Sequence, residues 1–236
     1  MNSGPRYWAV IPAAGGGSRM GQPRPKQYLP LRDRVLLEWS MAPFLDAGWI
    51  DGVALVLAKS DQDYAKLSLA RHPKIVTTTG GVARADSVLA GLEVVAERSR
   101  GFSEVYVLVH DAARPCVDWA DIERLRDEAG DQHGGLLALP VSDTLKKSKQ
   151  GKVAATVDRA FIWRAQTPQM FRLDLLTAAL RECVDRGLEV TDEASAMERA
   201  GYKPRLVRGR ESNIKVTYPE DLHLAEFWLA RQEQQP

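Results

Sequence analysis

The residues with the clearest chemical content are small or positively charged, and they stand together near the start of the chain. Ala13-Ala14-Gly15-Gly16-Gly17 runs into Ser18 and Arg19, and Lys26 follows seven residues later. Residues 1–32 hold no Asp or Glu but carry Arg6, Arg19, Arg24, Lys26 and Arg32, five positive charges in a chain whose formal net charge is +1. Residues without bulk let a ligand press against the backbone, and the amide N–H groups of such a loop suit an anion. The surplus charge adds attraction, so a bound polyanion is expected, most simply a nucleoside triphosphate.

Two known phosphate loops can be tested here. A P-loop closes on Gly-Lys-Ser/Thr and opens a helix; here Gly17 is followed by Ser18 and Arg19, and Pro23 and Pro25 oppose an immediate helix. A dinucleotide fingerprint would place a small residue at position 20, where this chain has Met20, and the same prolines deny it the helix start that binds pyrophosphate. Neither motif accounts for the loop.

The elements around it follow from apolar patterning. Residues 8–11 read as a short buried strand, as do 53–58, 75–78, 105–109 and 135–139. Between them, 36–47, 84–98 and a segment capped by Asp118 or Asp121 read as helices, and Asp61 reads as the cap of a further helix through residue 70. Later, 172–186 and 191–200 read as helices, with Thr191 as N-cap of the second. Strands follow at 203–207 and 214–217, and a last helix at 219–231. Strands alternating with helices imply βαβ units and a mainly parallel, doubly wound α/β sheet. Ligands in such sheets lie beyond the carboxyl ends of strands. The loop at 13–19, the Gly80-Gly81 turn and the segment His110-Asp111-Ala112-Ala113-Arg114 each follow a strand, so all three should meet on one rim.

Residues 141–159 differ. Two polar stretches flank Gln150-Gly151, which reads as a hairpin turn. The hairpin is too polar for a core; it is either a projecting arm that reaches another subunit or a solvated loop. The rest, 44% hydrophobic and 27% charged over 236 residues, fits one domain across 1–236 with that arm inserted. No apolar run approaches the roughly 20 residues that span a bilayer, and the polar start lacks a signal-peptide core, so a soluble cytoplasmic protein with no membrane partner is expected. Cys116 and Cys183 are isolated and suggest neither a disulfide framework nor a zinc site. The near-neutral charge argues against a nucleic-acid partner.

The ordered motifs resemble one family, the 2-C-methyl-D-erythritol 4-phosphate cytidylyltransferases of the non-mevalonate isoprenoid pathway. They are Pro12-Ala13-Ala14-Gly15 with Gly17, Arg19 and Met20; Pro25-Lys26-Gln27-Tyr28; Arg84-Ala85-Asp86-Ser87-Val88; Val109-His110-Asp111-Ala112-Ala113-Arg114-Pro115; Asp143-Thr144; Thr156-Val157-Asp158-Arg159; Gln166-Thr167-Pro168-Gln169; Thr191-Asp192-Glu193-Ala194-Ser195; and Asn213-Ile214-Lys215-Val216-Thr217. The resemblance covers nearly the whole chain. It implies a Rossmann-like nucleotidyltransferase fold and attack of a sugar phosphate on the α-phosphorus of CTP, releasing pyrophosphate. In such a displacement the enzyme aligns two anions and neutralises charge gained by the equatorial oxygens.

By the same resemblance, Arg19, Lys26 and Lys215 are the catalytic cations. Pro12, Ala13, Ala14, Gly15, Gly17, Gly80, Gly81, Ser87, Asp111 and Ala112 form the nucleotide site, Asp111 holds Mg²⁺ or another divalent cation, and Thr144, Arg159, Thr167 and Thr191 surround the methylerythritol phosphate. The arm is implied to cross to a second subunit, making a homodimer whose sites share Arg159. Local structure offers plainer roles for several of these: loop capping for Asp111, a helix position for Ser87, a turn before proline for Thr167, N-capping for Thr191. Arg84 and Asp86 read as a pair across the start of their helix. His110 reads as a packed histidine, since a phosphate monoester needs little deprotonation near neutral pH. The family often has an acid directly after the second glycine; Val82 stands there, leaving only backbone contacts. A cytidylyltransferase for another polyol phosphate such as ribitol 5-phosphate shares the nucleotide half of these motifs, and a non-catalytic nucleotide-binding module is the reading from a different class.

Overall fold

The computed structural model describes residues 4–15, 24–131 and 133–234. The chain begins with β1 (Arg6–Ala13), whose side chains alternate between two buried faces: Ala9, Ile11 and Ala13 enter one core, Trp8 and Val10 the other. A short ribbon of β2 (Pro30–Leu31) and β3 (Arg34–Val35) leads to α1 (Leu36–Asp46). Then come β4 (Gly52–Leu57), β5 (Ile75–Thr79), α2 (Arg84–Arg98), β6 (Val105–Val109), α3 (Trp119–Glu128) and β7 (Gly135–Pro140). The hairpin strands β8 (Leu145–Lys149) and β9 (Lys152–Val157) precede β10 (Trp163–Arg172), α4 (Leu173–Asp185), α5 (Glu193–Arg199), β11 (Arg205–Arg208) and α6 (Glu220–Gln232).

Seven strands form one sheet in the order β11-β7-β10-β6-β1-β4-β5. All neighbours are parallel except β10, which runs antiparallel to both β6 and β7. The expected doubly wound, mainly parallel sheet is therefore present. The side chains of α1 and α3 (Leu37, Met41, Phe44, Ile122, Leu125) pack with one face; those of α2, α4 and α5 (Val88, Leu92, Leu176, Leu180, Met197) pack with the other. Helix α6 joins a third cluster with Leu31, Leu36, Cys116 and Val216. From β1 the chain moves outward through β4 to β5, then crosses to β6 on the opposite side of β1. That reversal between β1 and β6 opens a crevice at their carboxyl ends, where a ligand is expected.

Several expectations need correction. Strand β10 lies in the middle of the sheet although nothing in its polar Gln166-Thr167-Pro168-Gln169 core reads as a strand; the β7 ladder breaks between Ala165 and Gln169, which accommodates the proline. Residues 61–70 form no α-helix. Asp61 does accept the N–H groups of Asp63 and Tyr64, but two short 3₁₀ turns, Tyr64–Lys66 and Ser68–Arg71, are separated by an extended Leu67, which lets Tyr64, Leu67 and Leu69 all reach the core. Asp118 caps α3, accepting from Ala120 N–H at 2.9 Å. The cap of α5 is Asp192, not Thr191; its carboxylate accepts the Ser195 N–H at 3.0 Å, a geometry the longer reach of a residue directly before the helix satisfies. Residues 214–217 pair with no strand among the described residues, because their backbone is drawn instead to the segment after β6, with Val216 N–H donating to the Ala113 carbonyl. The hairpin forms as read, with Gln150 at φ 50° and Gly151 at φ 75°, both in the left-handed region that a two-residue hairpin turn requires.

Candidate active site

The carboxyl ends of β1, β5 and β6 deliver their following residues to one rim, as the convergence of the three loops requires. They enclose a cavity of about 230 Å³ whose walls include Pro12, Ala13, Ala14, Gly15, Lys26, Gly81, Ser87, Asp111, Ala112 and Lys215. Ten of the expected site residues thus meet there. Gly80 stands behind this wall. A Cβ at Gly80 would lie 2.5 Å from Ser87 Oγ and 2.7 Å from Ala14 Cβ, so the absence of a side chain lets α2 close on the loop after β1. Gln27, buried in a 3₁₀ turn, donates from Nε2 to the Ala13 carbonyl at 2.7 Å and ties the following segment to the same loop. Gly17 and Arg19 lie outside the described residues.

Asp111 is the centre of the charge arrangement. Its Oδ2 lies 2.7 Å from Lys215 Nζ and 3.9 Å from Arg114 Nε; its Oδ1 accepts from Arg84 at 3.2 Å. Arg84 also grips Glu193 at the start of α5, at 2.5 Å, so this one guanidinium joins α2, the loop after β6 and α5. The expected pairing of Arg84 with Asp86 is replaced: Asp86 accepts the Ala83 N–H at 2.9 Å, while Arg84 turns to the buried carboxylates of Asp111 and Glu193. Burial alone would raise the Asp111 pKa, but Arg84 and Lys215 together hold it well below the usual carboxylate range. Burial would likewise lower that of Arg84; Glu193 and Asp111 overcome this and push it up. Lys26, Arg84, Arg114 and Lys215 set four positive charges against the two carboxylates of Asp111 and Glu193, a balance that favours an incoming anion. Lys26 Nζ donates to the Val216 carbonyl at 3.0 Å, placing it beside the stretch that carries Lys215.

His110 is packed, as read. It is fully buried, its ring 5.0 Å from that of Phe44, and burial lowers its pKa to about 4. Because the Arg114 carbonyl can only accept, the ring proton sits on Nε2 and Nδ1 accepts from Thr167. Thr167 Oγ1 in turn accepts the Asp111 N–H at 3.0 Å. Thr167, only 4% exposed, therefore spends its hydroxyl on holding Asp111 and His110. Thr191 is exposed one residue before the Asp192 cap, close in sequence to Glu193. Thr144 and Arg159 are exposed at the base of the arm, apart from the cavity walls.

Three supporting residues escaped the sequence reading as site residues: Arg84, Gln169 and Asn213. Gln169 donates to Asp192 and accepts from Ala194 N–H, docking α5 on β10. Asn213, fully buried, donates to the Thr167 carbonyl, and its own carbonyl accepts from Arg114. Their signal was polarity inside stretches that otherwise pack.

Among the described residues, Asp111 is the only carboxylate in the cavity walls, and there is no group of three or more His, Cys, Asp or Glu able to hold a metal by themselves. That donor set suits Mg²⁺, which commonly takes one or two carboxylates and completes its shell with phosphate oxygens and water.

A model of the IspD family, described as 2-C-methyl-D-erythritol 4-phosphate cytidylyltransferase, matches residues 7–231. A protein of that name from Pseudomonas putida strain F1 is 51% identical over 230 residues, 96% of this chain and 97% of its own length. Among solved structures, a 4-diphosphocytidyl-2C-methyl-D-erythritol synthase superposes with a TM-score of 0.83 at 35% identity, covering 96% of this chain and 99% of the other. The Francisella tularensis 2-C-methyl-D-erythritol 4-phosphate cytidylyltransferase follows at 0.81 and 34%, covering 94% and 99%. Matches of this length at this identity, to proteins whose structures superpose on nearly the whole chain, place it plainly: it belongs to the 2-C-methyl-D-erythritol 4-phosphate cytidylyltransferase family.

Proposed function

We propose that this chain transfers CMP from CTP to 2-C-methyl-D-erythritol 4-phosphate, giving 4-diphosphocytidyl-2-C-methyl-D-erythritol and pyrophosphate. The observation that carries this reading is the set of cations around Asp111 at the β1/β6 crevice of a family member. The acceptor's phosphate oxygen forms a bond to the α-phosphorus as the bond to the β-bridging oxygen breaks, and the electron pair leaves with pyrophosphate. No proton need be removed, which agrees with a neutral, enclosed His110. Lys26 and Lys215 stand where they can meet the charge that builds on the equatorial oxygens, and Arg19 shares this task by its place in the family motif. The small residues of the loop and the Gly80-Gly81 turn leave a slot for a pyrimidine, with Ser87 at its wall.

Asp111 would hold Mg²⁺, which supplies charge neutralisation on the phosphates when bound. Thr191, just before the Asp192 cap of α5, would face the acceptor; Thr167, its hydroxyl committed to His110 and the Asp111 N–H, would serve the site by holding Asp111 from β10; and Thr144 and Arg159 would serve a neighbouring subunit's acceptor across the arm. This makes the enzyme a homodimer of single-domain subunits with shared sites. Support for the arm's role comes from β9, exposed along its whole length, and from Phe161, which is 91% exposed at the arm's base. A cytoplasmic setting is consistent with two free cysteines.

Pyrophosphate release from CTP, measured in parallel with methylerythritol phosphate and ribitol 5-phosphate, with and without Mg²⁺, tests the reading. Release should require methylerythritol phosphate and the metal. Faster release with ribitol phosphate would overturn the acceptor, and none with either would overturn the activity.

A further inference from the structure

Lys215 sits on residues 209–217, a stretch between β11 and α6 with no regular secondary structure, so no ladder of backbone bonds determines where its ammonium points. One backbone bond, from Val216 N–H to the Ala113 carbonyl, holds its far end; at its start, from Arg210 onward, the location must come from side chains. At the start of the stretch, Arg210 reaches across to α3: one arm of its guanidinium pairs with Asp118, and its Nε lies 3.1 Å from Oδ1 of Asp121. Arg124, one turn along α3, donates to the same Asp121 oxygen at 2.5 Å and to the Arg208 carbonyl at 2.6 Å. Asp121 is completely buried.

A buried carboxylate is costly unless paired, and α3 does not need one, because Asp118 already caps the helix and a solvated Asp121 would serve its first turn equally well. What the burial achieves is to gather two guanidiniums, one from α3 and one from the Lys215 stretch, on a single fixed anion. The anchorage is passed on. The Arg210 carbonyl accepts from Gln166 Nε2 at 2.9 Å and from Asn213 N–H at 3.2 Å, and the Asn213 carbonyl accepts from Arg114 at 2.7 Å, beside Asp111.

We propose that Asp121 is a positioning residue for Lys215, acting through Arg210: it holds the start of the 209–217 stretch so that the Lys215 ammonium meets Asp111 and the reacting phosphates. This rests on the reading that Lys215 stabilises charge during nucleotidyl transfer.

Asp121→Asn and Arg210→Ala, each alone and combined with Lys215→Ala, test it on the full chain. Each single variant should lower kcat by ~10-fold or more, since misplacing a catalytic group by about an ångström is that damaging. The KM for CTP should stay within ~2-fold, as expected when an interaction made mainly in the transition state is lost. Arg210→Lys, which keeps one charge near Asp121, should recover part of the rate. In the Lys215→Ala background the loss of kcat from Asp121→Asn should vanish, while any shift in Tm persists. A lowered Tm with unchanged kcat would make Asp121 purely structural and overturn the proposal; an undiminished loss without Lys215 would overturn it too. If Asp121→Asn fails to fold, Arg210→Ala, whose side chain is 41% exposed, answers the same questions. Amide hydrogen exchange of residues 209–217 separates this proposal from the functional reading. Faster exchange in either variant supports the anchorage even if the parent shows no turnover, and unchanged exchange overturns it.

Discussion

At the scale of single residues, Asp111 shows how one carboxylate organises a site. It is drawn on by Lys215 and Arg84, and its backbone N–H is held by Thr167, so both its charge state and its position are determined before any substrate arrives. An incoming triphosphate meets cations already gathered, and need not reorganise them. Charge stabilisation concentrated in the transition state has a kinetic signature: Lys26→Ala and Lys215→Ala should each reduce kcat by ~10²-fold or more while changing CTP affinity far less. Steady-state kinetics beside equilibrium CTP binding would check this. Equal losses in rate and affinity would mean that these lysines only hold the triphosphate.

At the scale of elements, the close approach of α2 to the sheet would set the depth of the proposed nucleotide slot. The contact is made through Gly91, where an added Cβ would lie 2.5 Å from Val10 Cγ1 and 3.0 Å from Val56 Cγ2. Ser87 and Arg84 project from the same helix about one and two turns earlier, so lifting α2 off β1 and β4 would move both. Alanine at position 91 gains roughly 1 kcal/mol of helix propensity but overpacks a closed contact, which typically costs 1–3 kcal/mol. Gly91→Ala should therefore destabilise by about 1 kcal/mol in urea unfolding and raise the KM for CTP. A variant at least as stable as its parent, with unaltered KM, would show that α2 does not set the slot.

At the scale of the molecule, the arm is the part that a single subunit does not explain. Among the described residues its strands pair only with each other, and Val153 is 68% exposed on it. In the proposed dimer each arm completes the partner's site, so an Arg159→Ala subunit mixed with a Lys26→Ala subunit should regain activity that neither has alone. Half of the randomly paired dimers would be mixed, each with one intact site, giving about a quarter of parental turnover. Mixing the two proteins after reversible dissociation and measuring pyrophosphate release checks this; no recovery would count against shared sites.

Much of this arrangement was open to reading before the fold was known, and the reasons are local. The apolar runs of β1, β4 and β6 announce strands buried on both faces, Gly80-Gly81 and the glycine loop announce close backbone approach, and the acid-free start announces an anion. These signals lie within a few residues of one another, where composition and period carry them. What had to wait for the folded chain is long-range and polar. Strand β10 is held in the sheet's centre by its neighbours on both sides, against the proline and polar residues that argue for a turn. Arg84 finds Asp111 and Glu193, 27 and 109 residues away, and not the Asp86 two positions along. Such pairings leave no periodicity behind them, because a buried charge is settled by whichever partner the folded chain brings to it, not by its neighbours in sequence.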